Sequence, residues 1–146
     1  MRLLVVSAVA VVLAGCGGSG GGFADEANAA CADANGHVRA LGPEPQILTA
    51  AQADWLETLT AIDLAAVAKV RALEVPEDDR AAVSSMLSGF DRGLARGAAI
   101  ERASRTGDLP ALRGQVDAAN ADFSRARTIA EQLGLDQCAQ LGRVDR

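Results

Sequence analysis

The chain has 146 residues, with 14 basic and 19 acidic side chains, one histidine and a formal net charge of −5. That length supports one hydrophobic core rather than two, and the acidic balance opposes contact with phosphate backbones, so no nucleic-acid partner is expected. Aromatic residues make up 3 % and tyrosine is absent; apolar residues recur at spacings of three and four and almost nowhere alternate, which predicts an all-α domain.

The first element is a leader. Met1-Arg2 gives a single positive charge, Leu3 to Val12 is apolar apart from Ser7, and small residues follow, the layout of a secretory signal. The apolar run is too short to cross a hydrocarbon layer of roughly 30 Å. Leu13-Ala14-Gly15-Cys16 resembles the lipobox of bacterial lipoproteins. The resemblance implies cleavage before Cys16, a diacylglyceryl group on the Cys16 sulfur, and anchorage at the extracytoplasmic face of the cell membrane. Residues 1–15 are thus read as signal peptide, residues 16–23 as lipidated cysteine and glycine-rich tether, and residues 24–146 as the helical domain. A Gly/Ser run such as Gly17 to Gly22 spans only about 13 Å on average, which keeps the domain near the membrane.

Four helices are predicted after the tether. The first covers about 24–41 and buries Ala27, Ala30, Cys31, Ala34, Val38 and Leu41; Gly42-Pro43-Glu44-Pro45 ends it, because proline lacks the N–H the ladder needs. Thr49-Ala50-Ala51-Gln52 is a capping-box pattern opening a second helix to Leu73, with Trp55, Leu59, Ile62, Ala66, Val70 and Leu73 inward. Pro76 and the acids Glu77-Asp78-Asp79 suit the start of a third, whose stripe of Val83, Leu87, Phe90, Leu94 and Ala98 is expected to run unbroken to Gly107. Asp108 caps the fourth, which buries Leu112, Val116, Ala119, Phe123, Ala126, Ala130 and Leu133 before Gly134 stops it. Four amphipathic helices with short connections pack as an antiparallel up-down-up-down bundle.

With Cys16 assigned to lipid, Cys31 and Cys138 form an even pair in an exported chain, and a single disulfide is expected to close the bundle. Cys31 early in the first helix, the Pro43/Pro45 break, Gly107-Asp108, and Leu133-Gly134-Leu135-Asp136-Gln137-Cys138 are similar to features of small helical lipoproteins of high-GC Gram-positive bacteria. That resemblance implies a disulfide-closed bundle and assigns no activity.

Chemistry-bearing residues are sparse. His37 has Asp33 four residues before it, the spacing of a surface ion pair, and Met86 fits ordinary packing. No metal-ligand spacing, no Gly-x-Ser-x-Gly elbow and no carboxylate–histidine helical motif occurs, so no cofactor, metal or catalytic residue is expected. Ser85, Gly89, Gly93 and Gly97 form a stripe of small residues that serves either close helix packing or a groove. Asp63 interrupts the second helix's apolar face; matching levels along the helices sets it beside Arg127 as a buried polar pair, and Glu101 beside Arg113. The expected function is a non-enzymatic, lipid-anchored interaction module that meets another envelope protein. The alternative is a small-molecule or lipid carrier, which requires an apolar pocket of several hundred Å³ bordered by the glycine stripe and a few converging polar groups.

Overall fold

The computed structural model describes residues 21–144, so the leader, Cys16 and the tether up to Gly20 lie outside the described residues. Four helical rods run antiparallel: α1 Gly21–Leu41, α2 Ala50–Arg71, a third rod built from α3 Arg80–Leu94 and α4 Gly97–Thr106, and α5 Leu109–Gln132. No strand occurs among the described residues. The first rod leans on α2 and on the C-terminal segment, α3 packs chiefly on α5, and α2 faces both pieces of the third rod.

Capping residues set the ends. The Thr49 hydroxyl accepts the Gln52 N–H at 3.1 Å, and Gln52 reaches back to accept the Leu48 N–H at 2.8 Å, one residue earlier than a standard capping box. Leu48 itself has φ +62°, an unfavourable backbone for a branched side chain, and the Gln52 carbonyl holds it there. A single 3-10 turn, Glu77–Asp79, precedes α3. The Asp108 carboxylate accepts the Ala111 N–H at 3.0 Å to start α5. At the far end Gly134, with φ +69°, closes a Schellman motif: Leu135 N–H bonds Ala130 and Gly134 N–H bonds Glu131.

Two boundaries differ from the sequence reading. Helix α1 begins at Gly21, inside the stretch assigned to the tether, because Phe23 is buried in the core and gives the helix an apolar residue to anchor its first turn. The third rod is not continuous: at Ala95-Arg96 the ladder tightens to an Arg96 N–H to Gly93 bond, and α4 leaves in a new phase. Ala98 therefore faces solvent, and Ala103 and Ser104 take the buried positions. The joint is stitched to α5 by Asp122, which receives Arg92 Nε at 3.3 Å and Arg96 Nε at 3.1 Å. Bonding to Arg96, opposed by partial burial and aided by Arg92, holds the Asp122 carboxyl below its ordinary range.

After Gly134 the chain turns back along the bundle. Leu135, Ala139 and Leu141 are buried in the main core beside Met86, Phe90 and Val67, and Phe90 meets Phe123 with ring centres 6.3 Å apart. Cys138 is bonded to Cys31 with Cα atoms 5.0 Å apart. Asn28 flanks the bond on one side, donating to the Gly134 carbonyl and accepting the Gln137 N–H at 2.9 and 3.0 Å; Asn35, on the other, donates to the Gln137 carbonyl at 2.9 Å. These asparagines are poor helix formers, and their place in α1 is explained by what they hold.

The disulfide joins residues 107 apart, so replacing both cysteines by alanine should destabilise the fold by up to about 4–5 kcal/mol in denaturant titration. Hydrogen exchange should show α1 and residues 135–144 losing protection before the other rods; uniform loss would mean that the bond supports the whole bundle equally. The Asp122 clamp carries a pH signature. Its folded carboxyl titrates below 3.8, the ordinary value, so its contribution is complete above that pH and is lost as pH falls through the lower folded value. Asp122→Asn should therefore melt below the parent at pH 6–7, with the difference closing as the medium is acidified below about pH 4; a pH-independent gap would show that charge is not what holds the joint.

Candidate functional site

The fold opens a cleft of about 760 Å³ at the end of the bundle opposite Gly21. Its walls come from the α1–α2 connection, the start of α2, the middle of α4, α5 from its start as far as Arg127, and the segment that follows α5. Leu56, Ile100, Leu109, Leu112 and Val116 make an apolar lining, and Ile47, Val116 and Val144 are 59 %, 36 % and 48 % exposed. A smaller inner pocket of about 90 Å³ continues the cleft into the bundle and shares Leu56, Ile100, Val116, Asn120, Gly142 and Val144 with it. Both volumes together fall in the range of small-molecule sites.

One edge of the cleft is fixed by a buried amide. Gln52 Nε2 donates to Glu44 at 2.7 Å, and its carbonyl accepts both the Leu48 N–H and the Ser104 hydroxyl, the latter at 2.6 Å. The α1–α2 connection, α2 and α4 are thereby tied at one point. The opposite edge is the C-terminal segment, held by the Gly142 N–H, which donates to Asp63 at 3.1 Å.

Asp63 is 1 % exposed, and it lines the inner pocket. Arg127 stands in the wall of the outer cleft, and Gly142 and Val144 line both compartments. The residue that sequence reasoning missed here is Gly142. Its φ is +73°, and a Cβ on it would lie 2.7 Å from the Phe123 ring, so glycine alone lets the segment pass over Phe123 and reach Asp63.

The glycine stripe is used for close approach. A Cβ on Gly89 would lie 2.9 Å from Ala126 Cβ, one on Gly93 2.6 Å from the Phe123 ring, and one on Gly97 2.9 Å from the Thr60 hydroxyl. Gly93 and Gly97 also border the inner pocket. Ser85 is exposed and takes no part in this packing. The joint explains the split: Gly89 and Gly93 face α5 while Gly97, beyond the break, faces α2.

The remaining polar residues have structural partners. Asp33 receives Lys69 Nζ at 2.9 Å, which with the charges of Lys69 and then His37 holds its carboxyl low; His37 is exposed. Glu101 pairs with Arg105 one turn away at 2.8 Å rather than with Arg113, and Arg105 also reaches Asp54 at 2.6 Å, contacts that push its guanidinium up. None of these shifted groups lines the cleft. Among the described residues no cluster of three metal-ligating side chains occurs, and no helix is long and apolar enough to cross a membrane.

The arrangement is a disulfide-closed four-helix bundle with an end cleft edged by the segment that follows α5. No family model, curated protein or solved structure matches the chain.

The glycines make opposite predictions on adjacent helices. Gly93→Ala should destabilise by about 1–3 kcal/mol, because the Phe123 ring must move. Gly114→Ala, on α5 with nothing within 4 Å of its Cβ position, should stabilise by about 0.5–1 kcal/mol through the unfolded state. Chemical denaturation of both variants checks the pair; two changes of the same sign would mean that local helix propensity, not packing, governs these sites.

Proposed function

We propose that this protein is a non-enzymatic lipoprotein, tethered through Cys16 at the outer face of the cell membrane, whose bundle carries a small amphipathic molecule in the end cleft. The observation behind the carrier reading is the two-compartment apolar cleft, bordered by Gly93 and Gly97 and approached by Arg113, Arg127, Asn120 and Asp63. A pocket of this kind, with few polar groups on an apolar lining, is the usual form of a small-molecule site.

The anchored part of the reading rests on Leu13-Ala14-Gly15-Cys16 and the glycine run after it. The non-enzymatic part rests on a single histidine and on the missing nucleophile and metal motifs. An interaction module facing another envelope protein is the second reading, favoured by the exposure of Ile47 and Val144 at the rim. A flat contact uses the rim alone, whereas a ligand uses the inner pocket too.

Two measurements test this. Cys16→Ser should shift the protein from the membrane fraction to the soluble one; retention after a high-salt wash would overturn the anchor. Purification of the lipidated protein from its native membrane should recover an amphipathic small molecule in near-equal amount. Recovery of a stoichiometric partner protein with no small molecule would replace the carrier reading with the interaction module.

A further inference from the structure

We infer that the cleft takes an uncharged single-chain alcohol, its hydroxyl meeting Thr60 in the inner pocket and its chain lying along Leu56, Ile100 and Val116. This rests on the carrier reading above and narrows it to one ligand chemistry.

The charges around the cleft are the first argument, because they answer one another. Arg113, Arg127 and Arg143 are matched across the two compartments by Glu44, Asp117 and Asp63. Glu44 takes the Gln52 amide, Asp63 takes the Gly142 N–H, and Arg127 has interactions of its own. Arg113 and Asp117 stand one turn apart on α5, and the Arg143 Nε–H is sealed from solvent within the wall. A charged head would surrender its water here without meeting an unmatched counter-charge, which makes its entry costly. An uncharged head escapes that penalty.

Thr60 supplies the second argument. It lies part-buried on α2 and lines the inner pocket beside Gly97. A Cβ on Gly97 would sit 2.9 Å from the Thr60 Oγ1, so the glycine is what leaves the hydroxyl room for a neighbour. No side-chain hydrogen bond engages that hydroxyl among the described residues. A hydroxyl both donates and accepts, and a second hydroxyl is the smallest group that can do the same in return. The space of about 90 Å³, against about 760 Å³ outside, admits one narrow end and not two. Leu56, Ile100 and Val116 line both compartments or their junction, so an apolar track leads from Thr60 to the open cleft.

The test uses the full-length Cys16→Ser chain, purified without detergent and checked for its disulfide, helical content and melting temperature. Decanol, decanoate and decyltrimethylammonium are titrated separately by calorimetry at pH 8. Decanol should bind one per chain, about tenfold or more tighter than either ion, as the cost of stripping a charge requires. Thr60→Val keeps the shape without the hydroxyl and should weaken decanol about fivefold, the scale of one neutral hydrogen bond. Thr60→Ser, which keeps the hydroxyl, should stay close to the parent. Val116→Trp, which fills the cleft from a part-exposed position, should weaken decanol as well. Binding of either ion as tightly as decanol would overturn the uncharged-head inference and leave the carrier reading standing. No loss in Thr60→Val, or equal losses in Thr60→Val and Thr60→Ser, would show that the hydroxyl is not read, which also overturns it. Unchanged decanol binding to Val116→Trp would place the alcohol elsewhere, with the same result. Absence of saturable binding by any of the three would overturn both readings.

Discussion

The bond between Cys31 and Cys138 holds the last stretch of chain against the middle of α1, and Asn28 and Asn35 grip the same turn from either side. Over its middle, helix α1 buries only small apolar side chains, Ala27, Cys31 and Ala34, with Phe23 and Val38 toward the ends. Alanine buries little area, so hydrophobic transfer alone gives this helix a weak hold. The returning segment makes up the deficit by inserting Leu135, Ala139 and Leu141 between α1 and the rest of the core. It then passes Asp63 and becomes the edge of the cleft. Core, first helix and candidate site thus depend on one covalent and hydrogen-bonded seam.

A second organising feature is the joint at Ala95-Arg96. A straight third rod would keep Gly89, Gly93 and Gly97 on one neighbour. The break lets the first two seat α5 and the third seat α2, so the end of the bundle spreads around α4. At that end Leu56, Ile100, Leu112 and Val116 line the cleft. Ion pairs from Arg92 and Arg96 to Asp122 secure the bend against α5.

Much of this architecture is legible in the sequence, and the reasons are local. Thr49, Asp108, Pro76 and Gly134 mark helix ends by backbone chemistry that depends on few neighbours, and the cysteine pair follows from parity together with the expected export of the chain. The joint was not legible, because Leu94 and Ala98 continue the apolar spacing across it and only packing against Thr60 and Phe123 reveals the phase change. Val116 reads as core for the same reason: its helical phase is inward, but at that level it lines the open cleft and is part-exposed. Phe23 was hidden by the glycines before it, which read as linker. The candidate site itself was visible only as scattered residues. Asp63 and the glycines stood out individually, whereas Arg143 and Gly142 lie in a tail whose course is set by tertiary contacts.

The position of the returning segment has a consequence in time. Residues 135–144 are made after all five helices, yet they supply core side chains and the partner of a cysteine 107 residues earlier. Contacts at that separation form slowly, since a long loop must close before any of them is rewarded. A chain emerging with its amino terminus first therefore has α2 to α5 available to associate while α1 still lacks its cover. The edge of the cleft forms only once this segment has folded back past Asp63, so the cleft takes shape after the helices that make its other walls.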